Sequence, residues 1–139
     1  MARLPILLVE DHASVRETTA DVLREGGYDV AEVEDAFAAL AFLRENDVSA
    51  VILDVYMPGM DGLVLLDHLD DPPPIALLTG HEYDKEVMAR RAKVLLYLQK
   101  PVSPEDLLKA AERLVRSPDE FSNTPRDEAS SVHQMFDDA

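Results

Sequence analysis

The chain is expected to fold as an α/β protein, a doubly wound, five-stranded parallel sheet with helices on both faces. Three observations predict it. Five strand-length apolar runs recur along the 139 residues. Helix-length segments alternate with them, as right-handed crossovers between parallel strands require. Four of the five runs are nearly continuous apolar, as strands covered on both faces should be.

The first strand is "PILLV" (5–9), followed at once by the acids Glu10 and Asp11. Residues 14–25, "SVRETTADVLRE", put Val15, Thr19, Val22 and Leu23 on one helical face, and Gly26-Gly27 stops the run. "DVAEV" (29–33) alternates, which suits an edge strand. Residues 36–45, "AFAALAFLRE", place Phe37, Leu40, Ala41 and Leu43 at helical spacing. The third strand, "AVILD" (50–54), closes on Asp54. A short helical candidate over 63–69 ends before Pro72-Pro73-Pro74, and "IALLT" (75–79) is the fourth strand. A more polar candidate helix covers 82–92, then "VLLYL" (94–98) is the fifth strand. The last helix, 104–116, has Ser103 as N-cap, Pro104 in first position and an apolar stripe of Leu107, Leu108, Ala111, Leu114 and Val115.

The formal charge of −15 argues against nucleic acid and anionic membrane as partners. With no cysteine there are no disulfides, thiolate metal sites or cysteine nucleophiles. The opening "MARLPILLVEDH" is too short in apolar residues for a signal-peptide core, and no run approaches a spanning helix, so a cytoplasmic protein is expected. The domain is read as residues 1–117. Residues 118–139 are read as an acidic tail, expected to be disordered, with "SVHQMF" as a candidate docking segment inside it.

In an open parallel sheet, sites form beyond the carboxyl ends of the strands. Glu10 and Asp11 follow the first strand there, and Asp54, Thr79 and Lys100 end the third, fourth and fifth. Taken singly, these residues read as a solvated acid, a cap, a strand end and a surface charge. In register they make a pocket of three repelling carboxylates, which a hard dication held by oxygens would relieve. Magnesium suits such a site, with manganese as a substitute. Asp54 beside such a cation can act as a nucleophile toward phosphorus, with Lys100 and Thr79 holding phosphoryl oxygens. His12, His68, His81 and His133 lack metal-ligand spacing, which disfavours zinc, and Met57, Met60 and Met88 read as packing residues.

The motifs "LLVEDH", "LDVYMPGMDG", "LLTGH" and "YLQKP", in this order, give the chain a specific resemblance over residues 4–116. It resembles the receiver domain of two-component response regulators, of the single-domain, chemotaxis-regulator-like kind. The resemblance implies a flavodoxin-like (βα)5 fold. It also implies phosphoryl transfer from a sensor histidine kinase or histidine phosphotransfer protein to Asp54. By the same resemblance, the metal contacts are Asp11, Asp54 and the backbone carbonyl of Tyr56, with Glu10 acting mostly through water. Thr79 and Tyr97 fall on the switch pair, Pro101 on a cis-proline, and Gly80 on the small residue that admits a donor. Tyr56 and His81 fall on positions that tune hydrolysis of the phosphoryl group.

The output surface implied is the face of the fourth helix, fifth strand and fifth helix, which binds a downstream protein and is a candidate for homodimerisation. Leu95 and Leu96 depart from the usual small-residue turn and would add apolar surface there. The reading is thus a stand-alone phosphoaccepting switch rather than an enzyme. A small magnesium-dependent aspartyl-phosphate phosphatase is the alternative; it would carry a second acid where Tyr56 stands. A nucleotide- or flavin-binding module is disfavoured, because "EDHASV" after the first strand would repel phosphate.

Overall fold

The computed structural model describes residues 4–55, 62–80 and 89–116. Among them, five strands form one parallel sheet. They are β1 (Ile6–Val9), β2 (Val30–Val33), β3 (Ala50–Asp54), β4 (Ile75–Thr79) and β5 (Leu96–Gln99), in the order β2-β1-β3-β4-β5. The α-helices among these residues are α1 (Ala13–Glu25), α2 (Ala36–Glu45), α3 (Gly62–Asp67) and α4 (Pro104–Leu114). The order reverses between β1 and β3, which is the doubly wound arrangement the sequence predicts. None of these helices is long and apolar enough to cross a membrane.

Strand periodicity divides the core in two. Leu7, Val9, Val51, Leu53, Leu77 and Tyr97 face α2 and α3, meeting Ala36, Ala39, Leu63 and Leu66. Ile6, Leu8, Ile52, Leu78 and Leu98 face α1 and α4, meeting Ala20, Leu23, Leu107 and Leu114. β2 lies at the sheet edge, as its alternating sequence predicts, and is half-buried throughout rather than alternately buried and exposed.

The helix ends follow local chemistry. Gly27 takes φ +98, and its N–H bonds to the Arg24 carbonyl while that of Tyr28 bonds to Leu23, closing α1. Asp35 caps α2 by accepting from Ala38 N at 2.7 Å. Ser103 caps α4 by accepting from Asp106 N at 3.0 Å, with Pro104 next.

Several faces differ from the sequence expectation. Val15 is 41% exposed and Phe37 64% exposed, while Ala20, Ala36 and Ala39 are fully buried. Small residues allow α1 and α2 to approach the sheet closely, and this turns the bulkier neighbours outward. Ala41, which the spacing also places on the packing face, is exposed. Leu96 is core and Leu95 packs on the same cluster, so this stretch is internal rather than added output surface. The candidate helix over 82–92 lies mostly outside the described residues, and Arg91–Lys93 at its end is a 3-10 turn. Tyr56, Met57, Met60, His81, Met88, His133 and the tail also lie outside them.

Candidate functional site

Buried polar side chains carry more information than exposed apolar ones. Among the described residues they are Glu10, Asp54 and Thr79, and all three sit at the carboxyl edge of the sheet. β1 pairs with β3 up to Val9↔Leu53, which brings the next residues, Glu10 and Asp54, side by side at the switch in strand order. By strand parity both fall on the side of the sheet that carries α1 and α4. Thr79 falls on the other side, the side of Tyr97, which lies opposite Leu77 in the β4–β5 ladder.

Lys100 joins the acids. Its Nζ lies 3.0 Å from Asp54 Oδ2 and 3.5 Å from Glu10 Oε1. Its own N–H bonds to the Thr79 carbonyl at 2.7 Å, so β4 fixes the lysine's backbone. The Lys100–Pro101 peptide bond is cis. Burial works against the ammonium's charge, but its hydrogen bond and attraction to Asp54, and then to Glu10, outweigh that. Lys100 is therefore held above the usual lysine range.

One lysine does not neutralise the pocket. Glu10, Asp11 and Asp54 each offer a carboxylate oxygen, all within 4.8 Å of one another. Glu10 Oε1 is buried with no hydrogen-bond partner, whereas its Oε2 accepts from His12 N at 3.1 Å. A buried carboxylate oxygen with no hydrogen bond and only a long ion pair to Lys100, beside two further carboxylates, fits a hard divalent cation better than any neutral occupant. His12 itself is exposed, with its ring near Ser14 Oγ, and stands outside the cluster.

Two contributors were not legible in the sequence. Gly62 opens α3 with its Cα so near the end of β3 that a Cβ there would lie 2.6 Å from the Asp54 carbonyl oxygen. Arg16, on the second turn of α1, donates from Nη1 to the Glu10 carbonyl at 2.9 Å. Gly80 behaves differently: it is exposed, and a Cβ there would meet nothing within 4 Å.

A cleft of about 550 Å³ opens beside Lys100, between α1 and the segment leading into α4, lined by Val15, Thr18, Leu78, Pro101 and Leu107. A larger groove, about 1080 Å³, lies at the opposite edge of the sheet among Val48, Pro72, Pro74 and Leu114. It holds none of the buried acids, and buried charge rather than size marks the site.

The family model described as the response regulator receiver domain matches residues 6–112. The chain belongs to this family. Among curated relatives, the response regulator MprA of Mycobacterium sp. (strain KMS) is 36% identical over 126 residues, covering 86% of this chain and 55% of the relative. The response regulator protein FleR of Pseudomonas aeruginosa is 40% identical over 116 residues, covering 78% of this chain and 24% of the relative. The chain thus spans about half or less of the length of these relatives. Among solved structures, the chemotaxis response regulator CheY4 of Vibrio cholerae is similar with a TM-score of 0.71 and 30% identity, over 81% of this chain and 99% of that one. A CheY-like receiver domain protein from Methanospirillum hungatei gives a TM-score of 0.75 and 26% identity, over 87% and 98%.

In this receiver domain, then, Glu10, Asp11, Asp54 and Lys100 are gathered in one pocket, with Thr79 at the same sheet edge. Tyr97 is buried two residues further back along the ladder. Tyr56 and His81 lie outside the described residues.

Proposed function

We propose that this receiver domain is a phosphorylation switch in which Asp54 accepts a phosphoryl group from the phosphohistidine of a sensor histidine kinase or histidine phosphotransfer protein. A carboxylate oxygen of Asp54 attacks phosphorus as the P–N bond breaks, and the bond pair returns to the imidazole. The observation that carries this reading is the buried Oε1 of Glu10, which has no hydrogen bond and only a long ion pair to Lys100 beside Asp54. It speaks for a pocket built to take a cation and then an anion. Magnesium or manganese, when held by Glu10, Asp11, Asp54 and the Tyr56 carbonyl, would offset charge on the transferring group.

Lys100 is poised to pair with one phosphoryl oxygen and the Thr79 hydroxyl to donate to another. Drawing Thr79 toward the phosphoryl group would let Tyr97 repack, a population shift that changes the surface around β5 and α4 for a downstream protein. Gly80 leaves room for the donor, and the cleft beside Lys100 gives it a seat, while Tyr56 and His81 set the rate of hydrolysis. This chemistry belongs to residues 1–117, with 118–139 as an acidic tail, and the domain acts as a cytoplasmic phosphoaccepting switch rather than a turnover enzyme.

Intact mass spectrometry after incubation with acetyl phosphate and magnesium should give one phosphoryl increment, absent in Asp54→Asn. Equal labelling of Asp54→Asn would overturn the assignment, and so would catalytic release of phosphate from phosphomonoesters.

A further inference from the structure

Arg16 is a cation that the chemistry above leaves unused, yet it reaches the acidic loop. Its Nη1 donates to the Glu10 carbonyl at 2.9 Å, and its Nε lies 3.8 Å from Glu32 Oε1 on β2. Glu32 is held independently by Arg24 at 2.9 Å, and Arg24 also donates to the Val30 carbonyl. Glu32 thereby anchors Arg16 to the edge strand. The Glu10 N–H bonds to the Val33 carbonyl at 3.2 Å, and Oε2 accepts from His12 N. Arg16 completes the clamp by holding the carbonyl, which leaves Oε1 as the one Glu10 oxygen turned toward Asp54 and Lys100.

A peptide group is a rigid plane, so fixing the Glu10 carbonyl fixes the plane that joins the Glu10 and Asp11 Cα atoms and narrows the directions open to the Asp11 side chain. We infer that Arg16 is a positioning residue for the divalent cation, acting through the Glu10 carbonyl and braced by Glu32. This rests on the cation reading above. Position and charge make opposite demands. Removing a guanidinium near three carboxylates makes the pocket more negative and, by Coulomb attraction alone, tightens a dication. Releasing the peptide plane lets the carboxylates spread and weakens it, and outer contacts of this kind typically alter metal affinity about tenfold or more. The sign of the change therefore separates the two roles.

The test is calorimetric titration of the full chain with magnesium chloride, without any phosphodonor. Arg16→Gln should bind about tenfold more weakly, and Arg16→Lys, which keeps the charge and one donor, should recover part of the loss. Glu32→Gln keeps the Arg16–Glu10 bond but loosens its brace, and should lose about two- to threefold. Arg116→Gln removes a cation of the same kind at the opposite edge of the sheet, where it pairs with Glu112, and should bind as the wild type does. Unchanged or tighter binding by Arg16→Gln overturns the inference. If that variant does not fold, unchanged binding by Glu32→Gln does so, as does an equal loss in Arg116→Gln. A wild-type chain that takes up no magnesium sinks the cation reading itself, a different and separately visible failure.

Discussion

The two ends of α3 carry ion pairs of nearly equal length and unequal meaning. At its start, under Asp54, Lys100 meets Asp54 at 3.0 Å, and both acids it touches are almost fully buried. At its end, Arg90 grips Asp67 with two hydrogen bonds, at 2.8 and 2.9 Å, but the Asp67 side chain is 51% exposed. Lys93 adds a bond to the Leu66 carbonyl at 2.8 Å, satisfying the helix terminus. Geometry alone would rank the Arg90 pair first. Burial reverses the ranking, because water screens Asp67 and cannot screen Asp54. The exposed pair ties the turn before β5 to α3, whereas the buried set gathers three carboxylates around one ammonium.

Lys100→Ala tests the buried end most severely. It leaves Glu10 and Asp54 facing each other without a cation, and should cost about 2–3 kcal/mol in metal-free stability, somewhat below the usual cost of breaking a fully buried pair because the ammonium is partly solvated. Magnesium should restore much of this, so thermal melting should show a larger magnesium-induced rise in the variant than in the wild type. An equal rise would mean that lysine and cation do not share the acids. Because Lys100 titrates above the usual lysine range, its contribution is complete below about pH 10.4 and is lost as pH climbs through the raised value.

Gly62→Ala probes the same end through packing. Its Cβ would force the start of α3 away from the Asp54 carbonyl, and denaturant unfolding should report a loss of about 1–2 kcal/mol. Full stability would show that the helix start yields easily and that β3 does not depend on it. Gly80→Ala, where the space is open, is the matched control.

Asp67→Asn should have the smallest effect, roughly 0.5 kcal/mol at neutral pH in denaturant titrations. The Arg90 hydrogen bond is the main cause holding the Asp67 carboxyl below its ordinary value. Its contribution is therefore present above about pH 4 and fades as pH falls through the lowered value, so variant and wild type should converge in acid. A difference that persists there would mean that the asparagine perturbs something besides the ion pair.

What could be read in advance follows from how local each cause is. The apolar runs of β1, β3 and β4, the caps Asp35 and Ser103 and the Gly26-Gly27 stop all act within a few residues, and all stand where the sequence places them. The helix faces did not follow. Val15 and Phe37 are the larger apolar residues, but the sheet selected Ala20, Ala36 and Ala39 for close approach, a choice made by shape rather than hydrophobicity. The acids were legible because a carboxylate at the end of an apolar strand is costly unless it serves a site. Arg16 was not, since an arginine six residues beyond an acid on an exposed-looking helix carries no local sign of which carbonyl it reaches.

The sequence by itself determined the alternation of strands and helices and the row of polar residues at the strand ends, because both arise from periodicity and chain direction. Only the tertiary structure decided that Glu10, Asp54 and Lys100 meet, that Gly62 must be bare, and that Arg16 braces the loop. Those facts depend on the order and register of parallel strands distant in sequence. Strand pairing fixes distances between side chains that no local preference can specify.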